Sequence, residues 1–193
     1  MNTSKKTWFQ RNLANIVTMC RVWLTTFLLW QVIWHRQMIW SIFTIGLIAA
    51  LTDGVDGYIA RKNNIVSQFG KAADRLADKY LQFVMYAFII LDARIAYELK
   101  YIAWLLVVIE LGLCVTWVVA LVHNKDVSAG KWGKFKMIAA CIGVLACPAI
   151  VIVEHHLGVK ISFCATPTVF FVLLAAAMFG IMSFWRHSQG LVG

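Results

Sequence analysis

Four of the nine acidic residues in the chain, Asp53, Asp56, Asp74 and Asp78, fall in the single window TDGVDGYIARKNNIVSQFGKAADRLADKY that starts at position 52. Asp53 and Asp56 are three apart and Asp74 and Asp78 four apart, spacings that put each pair on one face of a helix. The connection between the pairs is short, so the two helices are expected to run antiparallel as neighbours and to bring all four carboxylates into one small volume. Two like charges about 4 Å apart repel by roughly 4 kcal/mol at an effective dielectric near 20, so such a cluster needs compensation. Divalent cations supply it. An all-oxygen ligand set suits hard ions such as Mg²⁺ or Mn²⁺ rather than zinc or copper, and four carboxylates balance two such ions. Two hard cations can bind a diphosphate and stabilise charge during phosphoryl transfer. Gly54, Gly57, Ala60 and Gly70 leave room for close approach of a ligand or a backbone, and Arg61 adds a forked donor beside the phosphate position. Small residues at this spacing also serve ordinary helix packing in membranes.

The elements that must position these groups are apolar. The chain has 193 residues, 61% hydrophobic and 14% charged, a balance outside that of ordinary soluble domains. Apolar windows lie near 14–34, 37–61, 71–93, 98–122, 137–153 and 162–185, each of a length able to cross a bilayer as a helix of roughly 20 residues. Helices are the natural spanning form, because a helix satisfies its own backbone groups away from water. The expected fold is therefore an all-α integral membrane domain over residues 1–193, with six transmembrane helices. Before them, KKTWFQRNLANI mixes Lys5, Lys6 and Arg11 with Trp8, Phe9 and Leu13. It reads either as an amphipathic helix on the membrane face within 1–13 or as a disordered tail. A cleaved signal peptide is not expected, since Arg21 interrupts the apolar run and no small-residue cleavage site follows closely.

Charge orients the bundle. Eleven basic residues gather on one side: Lys5, Lys6, Arg11, Arg61, Lys62, Lys71, Lys125, Lys131, Lys134, Lys136 and Arg186. Four lie on the other: Arg36, Arg94, Lys100 and Lys160. The positive-inside rule then puts both termini, and the aspartate window, at the cytoplasmic face. Attraction to anionic headgroups accounts for the net charge of +9, and no nucleic-acid partner is needed. The five cysteines (Cys20, Cys114, Cys141, Cys147 and Cys164) lie in apolar segments without a CxxC pair, so they are expected as small packing residues rather than as disulfides or zinc ligands. His155 and His156 are expected in an interfacial loop rather than at a metal site.

The pattern Asp53-x2-Asp56-Gly57-x2-Ala60-Arg61-x8-Gly70-x3-Asp74-x3-Asp78 resembles the signature of the CDP-alcohol phosphotransferases, with every fixed residue and every gap matched. The resemblance extends to Asn15-x2-Thr18-x2-Arg21, where Ala14 stands in place of the proline that usually precedes. It implies a homodimeric enzyme of six helices in the membrane, in the inner membrane if the source is bacterial. It further implies a CDP-linked donor, most often CDP-diacylglycerol, bound through its diphosphate to metals on Asp53, Asp56, Asp74 and Asp78. Gly57, Ala60, Arg61 and Gly70 would line the nucleotide and diphosphate pocket. Asp78 would be the general base that takes the acceptor's proton before the alkoxide attacks the lipid-bearing phosphorus and CMP leaves.

The acceptor is read from the segment GKWGKFKM, which resembles the GKxK segment of the family's phosphatidylglycerophosphate synthases. Lys134 and Lys136 are then expected on the phosphate of glycerol 3-phosphate, with Arg21 or Arg75 as a further cation. Positive-inside anchoring is the other reading of these lysines. Two departures bear on the choice: Ile109-Glu110 stands where those synthases carry an Arg-Glu pair, and Arg75 follows Asp74 where many have proline. Inositol phosphate, serine, phosphatidylglycerol and amino alcohols are the other acceptors used in the family. Outside it, an ion-coupled transporter would show paired broken helices in two related halves. A membrane prenyltransferase would carry two separated aspartate-rich motifs.

Overall fold

The computed structural model describes residues 8–63, 68–122, 131–158 and 162–192, and among them the side chains of 16–52, 73–120, 122, 133, 135–158 and 165–186. Six helices are present among the described residues, with no strand: α1 (Trp8–Trp34), α2 (Ile39–Asn63), α3 (Gln68–Leu91), α4 (Tyr97–Val122), α5 (Lys131–Leu157) and α6 (Ser162–Val192). Four stretches are long and apolar enough to cross a membrane: Ile16–Trp34, Tyr97–Ala120, Phe135–Leu157 and Ala165–Arg186. In α2 only Ile39–Thr52 is apolar, because the aspartates begin at the next residue. Charged Lys71, Asp74, Arg75, Asp78 and Lys79 similarly occupy the first half of α3.

Two expectations change. The segment from Trp8 to Leu13 is not a separate interfacial helix but the first turns of α1, since no proline or glycine between Trp8 and Ile16 interrupts the helix. Residues 1–7 lie outside the described residues. His155 and His156 are not in a loop: they form the last turn of α5, where imidazoles meet the negative end of the helix dipole. The helix closes at Gly158, whose φ of +62° and N–H bond to the Glu154 carbonyl at 3.0 Å make a left-handed cap that a side chain would strain.

The chain forms two compact units, residues 1–84 and 85–193. In the first, α1 packs on α2, and Gln31 donates to the Ser41 hydroxyl at 2.7 Å across their tight connection. Thr18, Arg21, Thr25, Leu28 and Val32 are the buried face of α1, a 3-4 spacing that marks one helical stripe. Trp23, Phe27, Trp30 and Trp34 are exposed on other faces, as suits a helix solvated by lipid rather than water.

In the second unit α6 packs on both α4 and α5. Close approach depends on two glycines. A Cβ at Gly143 of α5 would lie 2.5 Å from a Leu173 methyl of α6, and one at Gly180 of α6 would lie 2.7 Å from a methyl of Ile109 on α4. Small residues let helix backbones approach where dispersion, not water exclusion, holds helices together. Asp92 sits buried in the turn before α4 and accepts from the Arg94 backbone N–H at 2.9 Å and its guanidinium at 2.5 Å. That bond raises the Arg94 pKa above its ordinary value. Cys20, Cys114, Cys141 and Cys147 are free thiols; the side chain of Cys164 lies outside the described residues.

Candidate active site

Arg21 is completely buried in α1, and a buried guanidinium needs an anionic partner within reach. Among the described residues two stand there. Its Nη1 donates to Asp74 Oδ1 at 3.2 Å and to Asp78 Oδ1 at 2.5 Å. The four-residue spacing on α3 puts both carboxylates on one face, and one shared nitrogen shows that they converge on a single point. Their side chains keep 41% and 20% exposure, so the acids border an accessible region while the arginine does not. Tyr80, two residues beyond Asp78, brings its hydroxyl to Thr26 Oγ1 at 3.4 Å.

A second ion pair lies in the other unit. Lys136, near the start of α5, donates to Glu110 of α4 at 2.5 Å, with the lysine and carboxylate side chains 6% and 1% exposed. Glu110 continues the buried stripe of Leu99, Ala103, Leu106 and Leu113, and Lys136 heads that of Ala140, Val144 and Cys147. Apolar stripes that each carry one charge are stable when the charges meet.

Of the site residues expected from sequence, the structure therefore unites Arg21, Asp74 and Asp78, and places Lys136 against Glu110. The side chains of Asp53, Asp56, Gly57, Ala60, Arg61, Gly70 and Lys134 lie outside the described residues, although their backbone is helical. Neither ion pair was expected. A signal was present for both, because one arginine or one glutamate inside an apolar helix requires a partner. Sequence could not choose that partner.

Asp74 and Asp78 offer hard carboxylate oxygens that fit Mg²⁺ or Mn²⁺ rather than a soft metal. Among the described residues no third such ligand joins these two carboxylates, and no group of three or more His, Cys, Asp and Glu side chains gathers anywhere.

The family model for CDP-alcohol phosphatidyltransferase matches residues 11–185, from the first turns of α1 to the last third of α6. The chain belongs to the CDP-alcohol phosphatidyltransferase family. It is thus a transferase of phospholipid synthesis and a membrane protein, in a family that is generally dependent on divalent metals. Among similar proteins is a Bacillus subtilis CDP-diacylglycerol--glycerol-3-phosphate 3-phosphatidyltransferase, 32% identical over 91% of this chain and 93% of its own. A Mycoplasma pneumoniae protein of the same name is 31% identical over 72% of this chain and 68% of its own. One from Escherichia coli is 37% identical over 37% and 40%. Within this CDP-alcohol phosphatidyltransferase, the matched region contains both ion pairs and the whole aspartate window.

Proposed function

We propose that the chain transfers the phosphatidyl group of CDP-diacylglycerol to a hydroxyl of glycerol 3-phosphate, forming phosphatidylglycerophosphate and CMP. The observation that carries this reading is the likeness along nearly the whole length of the Bacillus subtilis enzyme of that name, together with the convergence of Asp74 and Asp78 on Arg21.

In this reading Asp53, Asp56, Asp74 and Asp78 hold two divalent ions, Mg²⁺ or Mn²⁺, which when bound supply charge neutralisation to the donor diphosphate. Asp78 accepts the proton of the acceptor hydroxyl. The acceptor oxygen bonds to the lipid-bearing phosphorus, the bond from that phosphorus to the bridging diphosphate oxygen breaks, and CMP departs with the electron pair. Arg21 holds the two α3 carboxylates at one point and so fixes the base relative to the substrates. Gly57, Ala60, Arg61 and Gly70 line the nucleotide and diphosphate. Lys134 and Lys136, the latter oriented by Glu110, are assigned to the acceptor phosphate, while Arg21, wholly buried, acts on the carboxylates rather than on the acceptor.

The chain is one catalytic domain that crosses the membrane six times, α2 and α3 with polar cytoplasmic halves, and it acts as a homodimer. The excess of basic residues on one side supports a cytoplasmic active site, in the inner membrane if the source is bacterial. Acyl chains then remain in the bilayer while the polar chemistry runs at its edge.

The test is a reconstituted assay with CDP-diacylglycerol, Mg²⁺ or Mn²⁺, and glycerol 3-phosphate, inositol phosphate, serine, phosphatidylglycerol or an amino alcohol as acceptor. CMP and phosphatidylglycerophosphate forming together only with glycerol 3-phosphate is the expected result. Preference for another acceptor would replace the assignment.

A further inference from the structure

One helical turn beyond Arg21 on α1 stands Thr25, and one turn beyond Asp78 on α3 stands Gln82. Thr25 is completely buried. Its Oγ1 and the Oε1 of Gln82 are both buried without a hydrogen-bond partner. The tie from Arg21 to Asp78 and the one from Thr26 to Tyr80 advance together along both helices, so α1 and α3 run in the same direction here. Four-residue spacing keeps Thr25 on the face of Arg21 and Gln82 on the face of Asp78. Both oxygens thus follow directly from the ion pair, within about 6 Å of helix rise.

Unpartnered buried polar groups are rare in native proteins, because each retains the full cost of leaving water. Membrane depth removes the easy remedy. An amide oxygen only accepts, while a threonine hydroxyl both donates and accepts. A single O–H group between them satisfies both, donating to Gln82 and accepting from Thr25. Ester and phosphoester oxygens only accept, so the diacylglycerol portion of the donor cannot serve Gln82 Oε1. Glycerol 3-phosphate can, since one hydroxyl reacts and a second remains.

We propose that Thr25 and Gln82 form the subsite for the acceptor's non-reacting hydroxyl, beside the base Asp78, and so determine selection of a vicinal diol over a simple alcohol. The inference rests on the proposed acceptor.

The experiment compares kcat/KM for glycerol 3-phosphate with that for 3-hydroxypropyl phosphate, which keeps a primary hydroxyl and the phosphate but lacks the second hydroxyl. The unmodified protein is expected to favour glycerol 3-phosphate by about ten- to a hundredfold. The near-isosteric Thr25→Val and Gln82→Leu should each bring that ratio down toward one, with the KM for CDP-diacylglycerol as a check on folding in every variant. A ratio unmoved by both substitutions, or an unmodified protein indifferent to the second hydroxyl, overturns the subsite and leaves a water molecule as its occupant. Absence of any turnover of glycerol 3-phosphate would instead overturn the acceptor assignment, and the subsite with it. If a variant loses its KM for the donor, Gln82→Glu and Thr25→Ser replace it: serine must restore the preference, and its failure to do so counts against the subsite.

Discussion

Arg21 of α1 and Asp78 of α3 are joined at 2.5 Å across 57 positions of sequence. The arginine is wholly buried and the aspartate one-fifth exposed, so the pair fixes the carboxylate proposed as the base from its protein side and leaves its other side accessible. A base held in this way needs no reorganisation at the moment of transfer.

Asp78→Asn preserves shape and removes the base. CMP release should fall by about 10²- to 10⁴-fold, while size-exclusion behaviour in detergent is retained. Activity within tenfold of the unmodified enzyme would move the base to another residue.

Arg21→Met leaves the α3 carboxylates without their guanidinium and should lower stability by about 3 kcal/mol. Combining it with Asp78→Asn should cost less than the sum of the two, with a coupling energy of about 1 kcal/mol or more in a thermal-unfolding cycle. Strict additivity would mean that the two side chains do not interact in the folded protein.

Lys136→Met separates two roles. Loss of the Glu110 partner alone predicts a stability defect that Glu110→Gln relieves, because an uncompensated buried carboxylate is the costly species. Phosphate binding predicts, in addition, a KM for glycerol 3-phosphate raised about tenfold that Glu110→Gln does not relieve. Measuring melting temperature and acceptor KM on the single and double variants reads both.

Gly180→Ala should destabilise the second unit by about 1 to 3 kcal/mol, since the added methyl meets Ile109 at 2.7 Å in a well-packed interior. Gly158→Ala, at a cap where an added methyl meets none of the described residues, should cost about 1 kcal/mol through its backbone. Unfolding curves of the two variants compare packing with backbone strain.

Chelation should abolish transfer, and Mg²⁺ or Mn²⁺ should restore it, because the donor's diphosphate and the aspartates repel one another without a cation between them. Zinc should restore little. Full activity in excess chelator would remove the metals from the reaction.

Sequence alone carried the class of fold, the helix pattern and the aspartate window, because each depends on local order: apolar runs of membrane length, and carboxylates three and four apart on a helix. Six membrane-spanning helices were expected; six helices are present among the described residues, four of them long and apolar enough to cross a membrane. Where α1 begins, and that His155 and His156 close α5, depended on how far helices extend past their apolar cores, which periodicity does not mark. What only the tertiary structure decided is which buried charges meet. Arg21 and Glu110 each announced a need for a counter-charge, but Asp74, Asp78 and Lys136 lie 26 or more positions away. Thr25 and Gln82 carry no mark in the sequence; only the structure shows their oxygens buried and unpaired. A local pattern sets which face of a helix a residue occupies; which other face it meets is set by packing between helices, and the chain's order does not encode that distance.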